Sequence, residues 1–152
     1  MIHSLIEQEI TLVGGDAQNV VIGGASQGCC VALDAAVNFQ YTLGGCIASF
    51  GHIYSGTELC SSRKDLPIFH FHGDADEVIA LSLAKTGWER LKKTGFTQIM
   101  FHTGPGLTHC EPSAIEFDMC ARQLEAWGFW PRQRAGRPDS TAADMLPVTQ
   151  QL

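Results

Sequence analysis

Charge is scarce in this sequence, and basic charge scarcest: charged residues make up 17% of the 152, with ten Lys and Arg against sixteen Asp and Glu and a formal net charge of −6. Phosphate backbones are bound by clustered Lys and Arg, whereas the few here are scattered or lie in the C-terminal segment, so no nucleic-acid partner is expected. No apolar run reaches the roughly 18 residues that a membrane-crossing helix needs, so no transmembrane segment is expected. The opening MIHSLIEQEI has neither a basic n-region nor a long apolar stretch, which argues against a secretory signal and for a cytoplasmic location. No internal repeat of the solenoid or propeller type occurs. What is present is a 45% hydrophobic fraction in a chain long enough for one core and too short for a second domain. The six cysteines, Cys29, Cys30, Cys46, Cys60, Cys110 and Cys120, are unevenly spaced and mostly in apolar surroundings, which reads as reduced, buried thiols rather than a disulfide framework.

Apolar periodicity divides the chain into alternating elements. His3 to Leu12 reads as a helix presenting Leu5, Ile6, Ile10 and Val13, and Gly14-Gly15-Asp16 stops it. Asn19–Gly24 (NVVIGG), Leu43–Phe50 (LGGCIASF), Pro67–His72 (PIFHFH) and Thr97–His102 (TQIMFH) read as short buried strands. Helices are expected over Ser26–Asn38, over Ala80–Lys93 with Leu81, Leu83, Ala84, Trp88 and Leu91 inward, and from a capping box at Ser113 and Glu116 to about Trp127. Strands alternating with helices at this pitch predict right-handed crossovers and an α/β fold, a mostly parallel sheet of about four strands flanked by helices. Residues 1–130 form the expected domain; residues 131–152 lack apolar periodicity and read as a disordered tail.

Gly24-Ala25-Ser26-Gln27-Gly28 matches G-x-S-x-G, placed where a strand turns straight into a helix. Such a turn lifts a serine hydroxyl clear of the backbone, with flanking glycines removing Cβ atoms that would collide with the neighbouring strand and helix. It also aims the N–H of the next residue, Gln27, and the helix N-terminus at a developing oxyanion. A serine nucleophile needs a base, and the base needs a carboxylate to hold its tautomer. Candidates follow the third and fourth strands in the order such enzymes use: Asp74 or Asp76 in HGDADEVI, then His109 after GPGLT, with His102 as a rival base. A competing pattern is His70-x-His72-x-Asp74-x-Asp76, where strand alternation would put His70, His72 and perhaps Asp74 on one face as metal ligands, although that reading leaves the serine turn unexplained.

GGASQGCCVALDAA, FHGDADEVIAL and GPGLTH resemble the corresponding segments of the acyl-protein thioesterase and carboxylesterase/lysophospholipase group of α/β-hydrolases, over about Leu5 to Trp127. The resemblance implies Ser26 as nucleophile, Asp76 as acid, His109 as base and the Gln27 N–H as an oxyanion donor, with no cofactor and no metal. It implies a substrate that is an acyl ester or thioester, such as an S-acylated protein or a lysophospholipid. It covers only the later part of that fold. In the family, several strands and a glycine-containing loop carrying a second oxyanion N–H precede the serine turn, and only 25 residues precede Ser26. The expectation is an N-terminally truncated hydrolase whose first strand is an exposed apolar edge, open to a homo-oligomer or a partner chain. The alternative is a catalytically impaired module or a gene-model fragment, acting at most as an interaction domain.

Overall fold

Short apolar runs separated by glycine-rich turns become four strands, and the amphipathic stretches between them become helices, in a computed structural model that describes residues 1–129. The expected tail at 131–152 lies outside the described residues. In chain order the elements are α1 (Ile2–Leu12), β1 (Val21–Ala25), α2 (Gln27–Asn38), β2 (Gly45–Ser49), β3 (Ile68–Gly73), α3 (Leu81–Thr94), β4 (Ile99–Gly104) and α4 (Ala114–Ala126). All four strands are parallel and stand in sequence order, β1-β2-β3-β4. The register aligns Gly24 with Ala48, Ala48 with His70 and His70 with Phe101. Every strand therefore ends at the same rim, and the loops after β1, β3 and β4 meet there.

The two faces of the sheet follow from the two-residue repeat of strands. Cys46, Ala48 and Ile68 point to one face, where Ile6 and Ile10 of α1, Ala32, Leu33 and Ala36 of α2 and Trp88 and Leu91 of α3 close a single apolar cluster. Phe69 and Phe71 point to the other face, where with Phe50 they pack against Met119 and Cys120 of α4 and against Trp127. Crossovers of one hand between strands laid down in one direction put their helices on one side, which is where α2 and α3 lie. Between β2 and β3 the chain crosses as an irregular segment with a short 3-10 turn at Ser61–Arg63. Side chains on its neighbours tie it down: Arg90 donates to the carbonyls of Tyr54 and Thr57 at 2.8 and 2.9 Å, and Thr57 Oγ1 donates to Asp34 at 2.6 Å.

Several expectations need correction. Helical spacing brought Leu5, Val13 and Leu83 into the predicted core, yet all three are exposed, because α1 and α3 each bury one narrow stripe and these residues fall beside it. The thiols divide evenly: all six are free, Cys29, Cys30 and Cys46 are buried, and Cys60, Cys110 and Cys120 are not. The Ser113 half of the capping box forms, its Oγ accepting from Glu116 N–H at 3.4 Å. The Glu116 carboxyl turns inward instead; burial raises its pKa, and the Ser49 hydroxyl facing it pulls the other way.

Candidate active site

The site is assembled at the C-terminal rim of the sheet. Ser26 joins β1 to α2 with φ 54 and ψ −124, a backbone conformation that L-residues rarely take and that costs about 1–3 kcal/mol where surrounding structure enforces it. Part of the enforcement is the bond from Ser26 N–H to the Ser49 carbonyl at 2.9 Å. Another part is Gly24, where a Cβ would lie 2.4 Å from the Gly28 carbonyl carbon, so only glycine lets the first turn of α2 fold back over β1. Gly28 does not share this role: a Cβ there would meet nothing within 4 Å, and the approach is one-sided. Gln27 is the first residue of α2, where backbone N–H groups have no intrahelical acceptor.

Three side chains remote in sequence form one hydrogen-bonded chain. Ser26 Oγ lies 2.7 Å from Nε2 of His109, 83 residues away. His109 Nδ1 lies 2.8 Å from Oδ2 of Asp76. Because a carboxylate only accepts, the geometry assigns the proton to Nδ1 and leaves Nε2 to accept from the serine hydroxyl. Asp76 is the anchor: its side chain is 0% exposed, and its Oδ1 takes the N–H groups of Val78 and Ile79 at 2.9 and 2.8 Å. Burial alone would push this carboxyl up; the hydrogen bonds from His109, Ile79 and Val78 more than offset it and hold its pKa below the ordinary 3.8. The arrangement can deprotonate an alcohol at Ser26 and keep the resulting imidazolium paired with a carboxylate.

The acid and base loops are held to each other by main chain. A Cβ at Gly73 would stand 2.3 Å from the Leu107 carbonyl oxygen, so glycine is required where the loops touch. Ala75 N–H donates to that same Leu107 carbonyl at 3.1 Å, and Asp74 N–H donates to the Gly104 carbonyl at 3.1 Å. Asp74, the rival acid, is occupied elsewhere: its Oδ1 accepts from Gly106 N–H at 2.6 Å and clamps the turn before His109. His102, the rival base, lies against Phe69 with ring centroids 5.4 Å apart and makes no contact with Ser26. The residues of the metal reading divide between two places. His70 and His72 do share a face, but Asp74 is turned to Gly106, and among the described residues no group of three or more His, Cys, Asp or Glu is placed to hold an ion.

Two residues stand at the site in places that the sequence does not indicate, Phe50 and His72, the latter read above only as a candidate metal ligand. Phe50, at φ 53 beyond β2, sets its ring against those of His109 and His72, with centroids 6.3 and 6.2 Å away. Nothing in its local sequence marks it, since the contact depends on how β2 ends beside β3. His72 sits beneath Asp76, and its place directly before Gly73 in HGDAD is the one signal by which it could have been found.

The chain is similar to known proteins in sequence and in fold. Residues 1–122 match the Phospholipase/Carboxylesterase family. The acyl-protein thioesterase 1 of Debaryomyces hansenii is 33% identical over 112 residues, 71% of this chain and 48% of that protein. That of Neurospora crassa is 34% identical over 130 residues, 82% of this chain and 49% of that protein. Among solved structures, Arabidopsis thaliana SOBER1 superposes with a TM-score of 0.67 at 30% identity, covering 83% of this chain and 59% of that one. The chain thus spans about half the length of the curated relatives it matches, and its four-stranded sheet is part of an α/β-hydrolase fold. With four-fifths of its length matched and a serine turn set at the sheet rim, the chain belongs to the Phospholipase/Carboxylesterase family.

Proposed function

We propose that this chain is a serine hydrolase that cleaves acyl thioesters or carboxylic esters, with Ser26, His109 and Asp76 as its catalytic residues. The observation that carries the reading is the unbroken chain of hydrogen bonds from Ser26 Oγ through His109 to a buried Asp76, at 2.7 and 2.8 Å. Ser26 Oγ attacks the acyl carbonyl while His109 Nε2 takes its proton; Asp76 keeps the ring oriented and stabilises the imidazolium. The oxyanion forms against the Gln27 N–H at the positive end of α2. His109 returns the proton to the departing thiol or alcohol, and a water activated by the same nitrogen then releases the acid. This sequence of steps uses no cofactor. The names of the relatives favour S-acylated proteins as one substrate class, with lysophospholipids as another.

The test is hydrolysis of short-chain p-nitrophenyl esters together with labelling by a fluorophosphonate probe. Ser26→Ala is expected to abolish labelling and to lower turnover by about 10³-fold or more. A folded parent chain that neither labels nor turns over would overturn the reading. It would favour instead a module acting by contact, for which the edge of β1, unpaired among the described residues, is the supporting observation.

A further inference from the structure

The buried groups that the mechanism leaves unused lie under Asp76. Asp76 Oδ2 is shared: His109 Nδ1 approaches it at 2.8 Å from the rim side, and His72 Nε2 stands 3.4 Å away within the sheet, with both the His72 and Asp76 side chains 0% exposed. His72 Nε2 also lies 2.8 Å from the Ile79 carbonyl. A carbonyl only accepts, so Nε2 bears a hydrogen and the tautomer is set without reference to Asp76. That single N–H is given to the Ile79 oxygen, and the carboxylate stands beside it with Oδ2 3.4 Å from the nitrogen. Ile79 closes the circuit, because its own N–H donates to Asp76 Oδ1 at 2.8 Å. His72 belongs to β3, whereas Asp76 and Ile79 belong to the loop that follows it. The circuit is thus the link by which the sheet determines how the carboxylate plane stands before His109.

Resting on the serine-hydrolase reading, we propose that His72 is a positioning residue. Its Nε2–H, donated to the Ile79 carbonyl, holds the carboxylate through the Ile79 N–H in the rotamer that serves His109, and from 3.4 Å it offsets negative charge on the oxygen that His109 uses. The other titratable groups around this pair are His70, whose ring centroid is 5.8 Å from that of His72, His109 across Asp76, and Cys110, which stands near Asp76. Of these, His109 alone is hydrogen-bonded to Asp76 Oδ2. Without the His72 donor, more charge remains on Oδ2, the His109 imidazolium is held more strongly, and the base is freed of its proton only at higher pH.

The experiment compares the parent chain with His72→Met, which fills the space without a donor, and His72→Gln, whose amide N–H reaches the same carbonyl. Two quantities are read: kcat/KM for a p-nitrophenyl ester against pH, and the NMR titration of the His109 ring. For His72→Met, kcat/KM at neutral pH should fall about tenfold or more with KM little changed, as expected for losing a buried hydrogen bond that orients the carboxylate. The acidic limb of the profile and the ring titration should both move up by about half a pH unit or more. His72→Gln should restore both. An unmoved limb and an unmoved titration in His72→Met would overturn the proposal, including when both variants lose rate equally through packing. If the ring titration moves while the parent chain shows no turnover, His72 positions Asp76 as described and the hydrolase reading is what fails.

Discussion

Ser26 is useful only while its neighbours keep it strained, and the same dependence runs through each residue of the site. Asp76→Asn would keep the shape but offer His109 Nδ1 an amide instead of a carboxylate, permitting the wrong tautomer. Turnover is expected to fall by about 10⁴-fold with fluorophosphonate labelling slowed in parallel, measured on p-nitrophenyl esters. His70 makes a prediction about stability rather than rate. It is buried between Trp88 and Phe101, and burial first, then the nearness of His72 and His52, lowers its pKa from 6.5 to about 3 against a small opposing bond to Gly51. The folded chain therefore refuses a proton that the unfolded chain accepts. The stability that a neutral His70 allows is fully present above pH 6.5 and is lost progressively as the pH falls toward about 3. The expected slope is about 1.4 kcal/mol per pH unit within that window, read by urea unfolding at several pH values. His70→Phe should flatten it. Asp76 leaves the upper part of the window clear: its depressed pKa means that its own contribution, present above 3.8, is lost only as the pH falls through a still lower folded-state value.

Among the elements, the loops matter more to the chemistry than the helices that frame them. Gly73→Ala would drive a Cβ into the Leu107 carbonyl now 2.3 Å from that position, and main chain cannot yield as a side-chain tip does. A loss of about 1–3 kcal/mol in unfolding free energy is expected. Turnover should fall by a larger factor than KM changes, since the loop that moves carries His109 and only a small misplacement is needed. The existence and order of all eight main elements could be read from apolar periodicity and glycine punctuation, with boundaries within about two residues for most. The strand expectations begin two residues early at β1 and β2, because the runs NVVIGG and LGGCIASF start before the paired residues, and β1 pairs one residue further, to Ala25. The exposure of Leu5, Val13 and Leu83 could not be read, because a helix's own sequence does not say how wide a stripe its neighbours cover.

At the scale of the whole molecule, β1 is bonded on one side only among the described residues. Gly44 N–H reaches the Val20 carbonyl and Ser26 N–H reaches the Ser49 carbonyl, so by alternation Val21, Gly23 and Ala25 present their backbone groups outward. A groove of about 340 Å³ beside this edge, lined in part by Ile22, Gly23 and Val31, adds apolar surface. Self-association that increases with concentration is expected in light scattering, and Val21→Lys should suppress it by placing a charge along the edge. Among the described residues no helix is long and apolar enough to cross a membrane, so association through a spanning helix does not arise from them. The sequence by itself determined the alternation of strand and helix, the tight serine turn and the order of Ser26, Asp76 and His109 after successive strands, because each depends on residue spacing or on a glycine at one place. Only the tertiary structure decided that Asp76 and not Asp74 faces His109, that His102 is spent on Phe69, and that His72 and Phe50 stand behind the site. Those outcomes depend on strand register and on which way two neighbouring loops turn, and both are set by contacts between segments tens of residues apart.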